Sequence, residues 1–268
     1  MDYAIEISGL HKEFTPANRR SIKDIVFNRK SKGRIIACDG VDLKVMRGEL
    51  FGLVGPNGAG KTTLIKILST IITPDSGKVL INGFDVVKEE EKIRSIIGLV
   101  TSEIRSFYGR LTGRQNLIFF ATLSNLSSLQ IKSRIMELAQ LLDLNDKLDI
   151  MFQEYSTGIK QRFAIARGLL NDASVLLIDE PTKSLDPLSA QNLHHLIKEV
   201  LVKKAGKTVI FTSHSLMEIE KLADTVGIMN KGRLEAVGTL TQLRQKMGNP
   251  KSPIEEVFNY YVKGDDKA

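Results

Sequence analysis

One glycine-rich segment has the residue types and the spacing that bind a phosphate chain. It matches the pattern G-x-x-x-x-G-K-[ST] in full and consists of Gly55, Pro56, Asn57, Gly58, Ala59, Gly60, Lys61, Thr62 and Thr63. Glycines let successive backbone N–H groups converge on one anion. In this pattern Lys61 reaches the β- and γ-phosphates and Thr62 offers its hydroxyl to Mg²⁺. The segment predicts a nucleotide phosphate site; the alternative is an ordinary glycine-rich turn.

A pair of acidic residues could complete such a site. Asp179 and Glu180 follow the apolar residues 175–178. A magnesium ion beside a phosphate chain needs a carboxylate at the end of a neighbouring strand. We therefore expect Asp179 to bind Mg²⁺ through water and Glu180 to act as the general base for an attacking water. The alternative is two acids that merely end a strand.

These residues must be positioned by alternating strands and helices. Alternating or continuous apolar residues predict strands near Tyr3 and at residues 41–45, 50–54, 79–81, 96–100, 174–178 and 208–211. Apolar residues at helical spacing predict helices at residues 62–70, 188–204 and 252–262. Between residues 111 and 170 helical periodicity dominates, which predicts an inserted helical subdomain. Continuous apolar strands that alternate with helices favour a mostly parallel sheet covered on both faces.

Composition excludes several classes of protein. The 268 residues are 42% hydrophobic and 26% charged, which excludes a wholly disordered chain. The single cysteine, Cys38, excludes a disulfide framework and a multi-cysteine metal site, and it fits a reducing compartment. No apolar run approaches the roughly 18–20 residues that span a bilayer, and the first residues lack the pattern of a signal peptide. We therefore expect a cytoplasmic protein.

A basic segment accounts for much of the net charge of +7. Between residues 18 and 34, Asp24 is the single acid among the cations Arg19, Arg20, Lys23, Arg29, Lys30, Lys32 and Arg34. Three interpretations stay open: a solvated surface insertion, a contact with lipid headgroups, or a nucleic-acid patch. Too few aromatic residues are interleaved to favour stacking on single-stranded bases.

With these motifs in order, the chain resembles the nucleotide-binding subunit of an ATP-binding cassette (ABC) transporter over nearly its whole length. The discriminating segment reads Tyr155-Ser156-Thr157-Gly158-Ile159-Lys160-Gln161-Arg162 and lies where the family has its signature L-S-G-G-Q. Ser156 and Gly158 match, whereas Tyr155, Thr157 and Ile159 depart. The Y-S-T-G-x-K-Q-R form is similar to that of ABC-2 type exporters, which have separate membrane subunits.

The resemblance implies roles for further residues. Phe14 matches the aromatic residue that stacks on adenine, and His214 matches the switch histidine. Residues 180–187 resemble the end of the Walker B motif and the D-loop, whose Asp186 would organise the facing site. The signature residues that would act in trans are Ser156, Thr157, Gly158 and Ile159.

One position departs from the family's pattern. Ser102, with Glu103 beside it, occupies the place of the Q-loop glutamine. A serine is too short to reach the metal as glutamine does, so either a water bridges the gap or Glu103 substitutes. The departure puts in question the usual coupling between the metal and the helical subdomain, but not nucleotide binding.

The implied fold is an α/β P-loop NTPase with a mostly parallel core sheet, an N-terminal antiparallel β subdomain and an inserted helical subdomain. The whole chain, residues 1–268, would be a single ABC ATPase domain. Its implied parts are the core with the β subdomain at residues 1–110 and 171–240, the helical subdomain at 111–170, and a C-terminal helical extension at 241–268.

The implied activity is a Mg²⁺-dependent ATPase that powers transport, most simply export. Two copies would sandwich ATP between the phosphate loop of one and the signature of the other. Separate membrane permease subunits would hold the protein at the inner face of the cell membrane and would carry the substrate contacts. The basic segment would lie near headgroups or the permease, and no nucleic acid is expected.

Two alternatives belong to other functional classes. A soluble ABC ATPase that acts on ribosomes or nucleic acid generally carries two cassettes or a long coiled coil, and neither is found here. A P-loop kinase or GTPase would have no use for the signature segment or His214, and no N-K-x-D-type guanine reader is visible.

Overall fold

The computed structural model describes residues 2–15, 34–101 and 106–263. Ser102, Glu103 and all of the basic segment except Arg34 lie outside the described residues. The strands within these ranges are β1 (Tyr3–Phe14), β2 (Ile35–Met46), β3 (Leu50–Val54), β4 (Ser76–Ile81), β5 (Phe84–Asp85), β6 (Ile97–Thr101), β7 (Val175–Asp179), β8 (Thr208–Ser213), β9 (Thr225–Asn230) and β10 (Arg233–Gly238). The helices are α1 (Lys61–Leu68), α2 (Glu90–Ile96), α3 (Gly113–Leu123), α4 (Ser128–Leu141), α5 (Thr157–Gly168), α6 (Pro187–His195), α7 (Leu216–Leu222), α8 (Leu240–Met247) and α9 (Ile254–Lys263).

The strands form two sheets, as the sequence predicts. The antiparallel sheet has the order β2-β1-β4-β5, and Asn82 and Gly83 form the tight turn between β4 and β5 with positive φ angles. The core sheet has the order β10-β9-β3-β8-β7-β6, in which only the β10–β9 pair is antiparallel. The predicted α/β architecture with a mostly parallel core sheet is therefore confirmed.

The buried strands of the core sheet determine where polar side chains gather. Every residue of β3 and β8 is buried, as are the first four residues of β7. The parallel register pairs Val54 with Ser213 and Asp179 with Thr212. Because carboxyl ends of parallel strands meet at one edge of a sheet, the loops after β3, β7 and β8 open on the same edge.

Helices α3, α4 and α5 lie where the sequence predicts helical structure. Two of them begin with a capping box, Thr112 with Gln115 for α3 and Ser127 with Gln130 for α4. Aromatic rings fill the space between them, including the parallel stack of Phe107 on Phe152 with centroids 4.4 Å apart. These residues belong to one hydrophobic core that continues onto the core sheet, so the helical region packs directly on the sheet.

The helix predicted at residues 188–204 consists of an α-helix followed by a π-helix. α6 ends at His195 and passes into a π-helix at Leu196–Lys204, a rare form that the apolar spacing does not distinguish from an α-helix. Two further helices, α8 and α9, follow the core sheet. In the parts of the chain that the structure describes, no helix is both long enough and apolar enough to cross a bilayer.

Candidate functional site

The glycine-rich loop joins the buried strand β3 to helix α1, as the sequence predicts. Lys61 is 6% exposed, and its ammonium donates to the backbone oxygens of Gly55 at 2.6 Å and Pro56 at 3.1 Å. Burial lowers the pKa of Lys61 and outweighs the opposing attraction of Glu180 and Asp179. A buried cation thus lies inside the loop and within the field of two carboxylates.

Gly60 leaves the start of α1 open to an anion. It is the N-cap residue with φ of 106°, a left-handed conformation, and it supplies no side-chain cap. A Cβ at this position would lie 2.1 Å from the backbone oxygen of Ala37, so only glycine fits. The first N–H groups of α1 lack a side-chain partner at the cap, which is the arrangement that binds phosphate at a helix N-terminus.

Thr212 joins the two acidic residues at the end of β7. Its hydroxyl donates to Asp179 Oδ1 at 2.6 Å and accepts the backbone N–H of Glu180 at 3.1 Å. The other oxygen of Asp179, Oδ2, lies 3.4 Å from the Thr62 hydroxyl. The predicted magnesium residues Thr62 and Asp179 are therefore adjacent, although they are separated by 117 positions in the sequence.

Glu180 is held between a histidine and a lysine side chain. Its carboxylate contacts His214 Nε2 through Oε1 and Lys183 Nζ through Oε2, the latter at 3.0 Å. Burial raises the pKa of Glu180, but the hydrogen bond from Lys183 and the charge of His214 outweigh it, so the pKa is lowered. Glu180 also has φ of 53°, unusual for a residue other than glycine. The carboxylate is thus ionised and oriented toward the strand edge that carries the phosphate loop.

One cavity of about 320 Å³ brings the predicted nucleotide residues together. Phe14, Glu180 and His214 line it with residues 57–63 of the glycine-rich loop. Phe14 is 36% exposed, and Lys12 lies over its ring at 5.5 Å from the centroid. Residues 35–37 complete the wall. Because an exposed ring and a phosphate loop share one cavity, it can take both ends of a nucleotide.

The signature residues do not line this cavity. Ser156 is the N-cap of α5 and accepts the Ile159 N–H, while Thr157 is exposed and Gly158 half-buried. Tyr155, which stands where the family has leucine, is buried and stacks on Phe163 with centroids 4.9 Å apart. Its hydroxyl, which has one proton to donate, lies within hydrogen-bond distance of the backbone oxygens of Lys147 and Ile150. The departure at Tyr155 therefore anchors the start of α5 in the helical core and leaves the polar end of that helix free.

Asp186 caps α6 in this chain. Its Oδ1 accepts the backbone N–H groups of Leu188 at 3.1 Å and Ser189 at 3.0 Å. Bonds from the side chain and the backbone N–H of Ser189 lower the pKa of Asp186. The nearest atoms to a Cβ built on Gly158 belong to Ser189, at 3.4 Å, so the signature and the D-loop helix are neighbours.

The sequence pattern does not single out Thr212 or Lys183. Thr212 could be found from its place as a hydroxyl residue at the end of the strand next to Asp179. Lys183 is brought back toward Glu180 by a turn in which its N–H donates to the Glu180 oxygen at 3.2 Å. Both contacts depend on pairing or turn geometry that single-residue patterns do not specify.

The donor set fits Mg²⁺ bound together with a nucleotide. Among the residues that the structure describes, no group of three or more His, Cys, Asp or Glu side chains could hold a metal alone. Mg²⁺ characteristically uses one or two protein ligands with waters and substrate phosphates, and Thr62 and Asp179 supply that number beside the phosphate loop. Ser102 and Glu103 lie outside the described residues, so their part stays a prediction.

Comparison with known proteins decides the family. The ABC transporter family profile matches residues 38–183. This chain belongs to the ABC transporter family. It is 36% identical over 248 residues to the doxorubicin resistance ATP-binding protein DrrA of Mycobacterium tuberculosis, covering 92% of this chain and 69% of that protein. It is 34% identical over 220 residues to the linearmycin resistance ATP-binding protein LnrL of Bacillus subtilis, covering 82% and 70%.

The fold agrees with a solved ABC subunit. The structure of CbiO1 from Clostridium perfringens, part of the transporter complex CbiONQ, superimposes with a TM-score of 0.76 at 25% identity and covers 92% of each chain. The ABC ATPase fold is confirmed, and with it the ATP-binding, Mg²⁺-dependent ATPase of a transporter. The relatives support transport over the alternative of a factor that acts on ribosomes or nucleic acid.

Proposed function

We propose that this ABC subunit powers export through separate permease chains, and that two copies close on ATP in a sandwich. One observation carries the proposal: a single cavity joins the phosphate loop to Glu180, His214 and Phe14, whereas the signature residues lie outside it. One copy thus has a phosphate-binding loop in the cavity and, outside the cavity, the N-terminus of α5. The two features complement each other when two copies face each other head to tail.

Glu180 is the general base in this proposal. Its lowered pKa keeps the carboxylate ionised at neutral pH, so it can accept a proton from the attacking water. His214 and Lys183 contact different oxygens of the carboxylate, which fixes its orientation toward the cavity. His214 would then respond to the γ-phosphate, because it lines the same cavity as the loop.

The phosphate chain is held by the loop and the start of α1. Lys61 would move from the Gly55 and Pro56 oxygens to the β- and γ-phosphates. Thr62 and Asp179 would hold Mg²⁺, Asp179 through water, and the ion would neutralise charge that develops on the phosphates. Phe14 would stack on adenine at the far wall of the cavity.

The signature of the second copy would complete the site. The N-terminus of α5 carries unpaired N–H groups and a partial positive charge, so it attracts the γ-phosphate of a facing nucleotide. Ser156, Thr157, Gly158 and Ile159 would supply these contacts in trans, with Asp186 beside them. Because the γ-phosphate exists only before hydrolysis, ATP stabilises the closed pair more than ADP does.

A trapping experiment tests the sandwich. Glu180→Gln keeps the side-chain volume but removes the base, so hydrolysis should fall at least about 100-fold. Gel filtration of this variant with ATP and Mg²⁺ should give a dimer, and with ADP a monomer. Lys61→Ala in the same background is the matched control and should stay monomeric. A Glu180→Gln protein that stays monomeric at every ATP concentration contradicts the proposal.

Export is supported by two relatives, which are named as a linearmycin resistance and a doxorubicin resistance ATP-binding protein. The whole chain, residues 1–268, would act as one ATPase domain at the inner face of the membrane, recruited by the permease through the helical region. Pull-down of Glu180→Gln from solubilised membranes should recover a polytopic membrane protein. Recovery of ribosomes or nucleic acid instead would contradict this assignment.

The basic segment would lie near anionic headgroups or the permease. This is argued from its charge alone, since its residues lie outside the described residues except Arg34, whose guanidinium pairs with Glu13 at 2.7 Å. Replacing Arg19, Arg20 and Lys23 with glutamine should leave ATP hydrolysis intact and reduce recovery with anionic vesicles. Unchanged recovery with vesicles and with permease-containing membranes would contradict this role.

A further inference from the structure

Glu218 is a buried carboxylate to which the proposed mechanism assigns no role. It lies in the first turn of α7 and is 5% exposed. Among the described residues it is the only buried aspartate or glutamate. A buried carboxylate is stable only where donors satisfy it, so its partners show what the fold requires of it.

Three side chains from three elements meet at this carboxylate. Oε1 accepts the Thr182 hydroxyl at 2.9 Å and lies 2.8 Å from His194 Nε2. Oε2 accepts the hydroxyl of Ser213. Thr182 follows Glu180 by two positions, Ser213 ends β8, and His194 lies on α6. One side chain therefore joins the ends of two core strands to the helix that begins at the D-loop.

The contact with Ser213 fixes the loop that carries His214. Ser213 Oγ accepts the N–H of Ser215 at 2.9 Å while its proton goes to Glu218. Ser215 in turn accepts the Glu218 N–H as the N-cap of α7. The residues on both sides of His214 are thus bonded to Glu218, and His214 between them reaches Glu180.

The contacts with Thr182 and His194 fix the other side of the site. The backbone oxygen of Thr182 accepts the N–H of Leu185, and this bond closes the turn just before Asp186. His194 lies at the last turn of α6, the helix that Asp186 caps. The D-loop is therefore tied at one end through Thr182 and at the other through α6 to the same carboxylate.

We propose that Glu218 is a positioning residue for ATP hydrolysis, because its carboxylate holds the His214 loop and the Asp186 loop in one arrangement. The proposal rests on the hydrolysis site proposed above.

Glu218→Gln tests this role at constant volume. The carboxylate accepts on both oxygens, whereas the amide accepts on one and donates from the other, so the hydroxyl of either Thr182 or Ser213 loses its acceptor. We expect kcat for ATP hydrolysis to fall about 10- to 100-fold, since small misplacement of reacting groups has effects of this size. The KM for ATP should change by less than about threefold, because the phosphate loop is not touched. Glu220→Gln on the same helix, whose carboxylate pairs with Arg244, is the matched control and should match the wild type.

A second pair of variants keeps the test valid if Glu218→Gln folds poorly. Thr182→Val removes the hydroxyl without changing the size of the side chain, and Thr182→Ser restores it. We expect Thr182→Val to lower kcat in the same way and Thr182→Ser to recover most of it. In the Glu180→Gln background neither Glu218→Gln nor Thr182→Val should alter the ATP-dependent dimer.

The outcomes separate this proposal from the one on which it rests. If Glu218→Gln and Thr182→Val hydrolyse ATP like the Glu220→Gln control while Glu180→Gln still traps a dimer, Glu218 has no positioning role and the sandwich stands. If both variants lose melting temperature and dimer formation in step with kcat, the role is structural and the proposal is overturned. If Glu180→Gln traps no dimer, the proposed function fails first.

Discussion

The phosphate loop and the signature helix differ in how far their polar side chains contact other residues of the proposed site. Around the loop, side chains already contact one another: Lys61 is bonded to its own loop, and Asp179 and Glu180 are joined by Thr212. At the start of α5, Ser156 caps its own helix and Thr157 is exposed, outside the nucleotide cavity.

This difference indicates which half of the proposed ATP site a single chain can assemble by itself. Three strands of one sheet position the loop side, so its geometry is complete within the chain. The signature is positioned by the helical region, and in the proposed sandwich it meets phosphate only across the contact between two copies.

The strongest test mixes two inactive variants. Lys61→Ala damages the loop side, and Ser156→Asp puts a negative charge at the signature while keeping a good N-cap residue. Each alone should lower hydrolysis at least about 100-fold, since loss of a single donor to developing charge has such effects. In an equal mixture, half the dimers pair the two variants and each has one intact site out of two. Steady-state ATPase assays should then recover about one quarter of the wild-type rate.

Ser156→Asn is the control for that mixture. It caps the helix equally well without the added charge, so it should lose much less activity than Ser156→Asp. A mixture as inactive as its components would mean that both halves of the site come from one chain, and the division would be wrong.

Gly98→Ala should disturb the signature side selectively. A Cβ on Gly98 would lie 2.1 Å from the Gly168 oxygen, where α5 packs on β6. We expect the free energy of unfolding to fall by about 2 kcal/mol, as for overpacked cores, and the ATP-dependent dimer to weaken more than nucleotide binding. Urea unfolding and gel filtration measure the two effects. Gly109→Ala, whose Cβ would meet nothing nearer than 3.4 Å, should change neither.

Thr212→Val should disturb the loop side selectively. It removes the hydroxyl that orients Asp179 and accepts the Glu180 N–H. A hydrogen bond to a charged group is worth about 1.5–3 kcal/mol, so kcat should fall at least about 10-fold and the Mg²⁺ requirement should rise. Magnesium titrations of the ATPase rate measure both, and Thr212→Ser should restore them. An unchanged Mg²⁺ requirement would show that Thr212 does not orient the metal residue.

Asp75→Asn should have the smallest effect, near the proposed adenine site. The Asp75 carboxylate accepts the Glu13 N–H at 2.7 Å and the Lys12 ammonium at 2.7 Å, next to Phe14. These bonds, the backbone one first, lower its pKa below 3.8. Because the pKa is lowered on folding, the stabilisation is present above the ordinary pKa and is lost as pH falls through the folded value.

The expected loss from Asp75→Asn is about 0.5 kcal/mol at pH 7, since the carboxylate is partly exposed and screened. Urea unfolding of both proteins should show this difference shrinking toward zero as the pH falls through the lowered pKa of Asp75. A difference that persists in acid would assign the effect to the change of side chain rather than to its charge.

The sequence predicts those elements in which one physical requirement, such as burial on both faces or a curled backbone, determines the residue types. β3, β7 and β8 are continuous apolar runs because both faces of the core sheet are covered. The glycine-rich loop is recognisable because its backbone must curl around an anion. No strand is predicted at residues 225–238, where β9 and β10 lie. Gly227 interrupts the apolar residues of β9, and β10 is only partly buried with weak alternation.

The contacts within the site depend on geometry that the sequence does not specify. Thr212 meets Asp179 only through the register of β7 and β8, across 33 positions. Lys183 meets Glu180 through a local turn, and Glu218 collects partners 5, 24 and 36 positions away. The change to a π-helix after His195 leaves the apolar spacing almost unaltered. Residue types predict the participants, but strand pairing and turns decide which of them touch.

The bonds from Lys61 to Gly55 and Pro56 have a consequence for selectivity among nucleotides. The ammonium already donates to two backbone oxygens, so a ligand must offer better acceptors before that side chain changes partners. We expect a triphosphate to do so with its charged oxygens, and a nucleoside or a monophosphate to leave the lysine where it is. The loop would thereby discriminate by the length of the phosphate chain without any contact to the base.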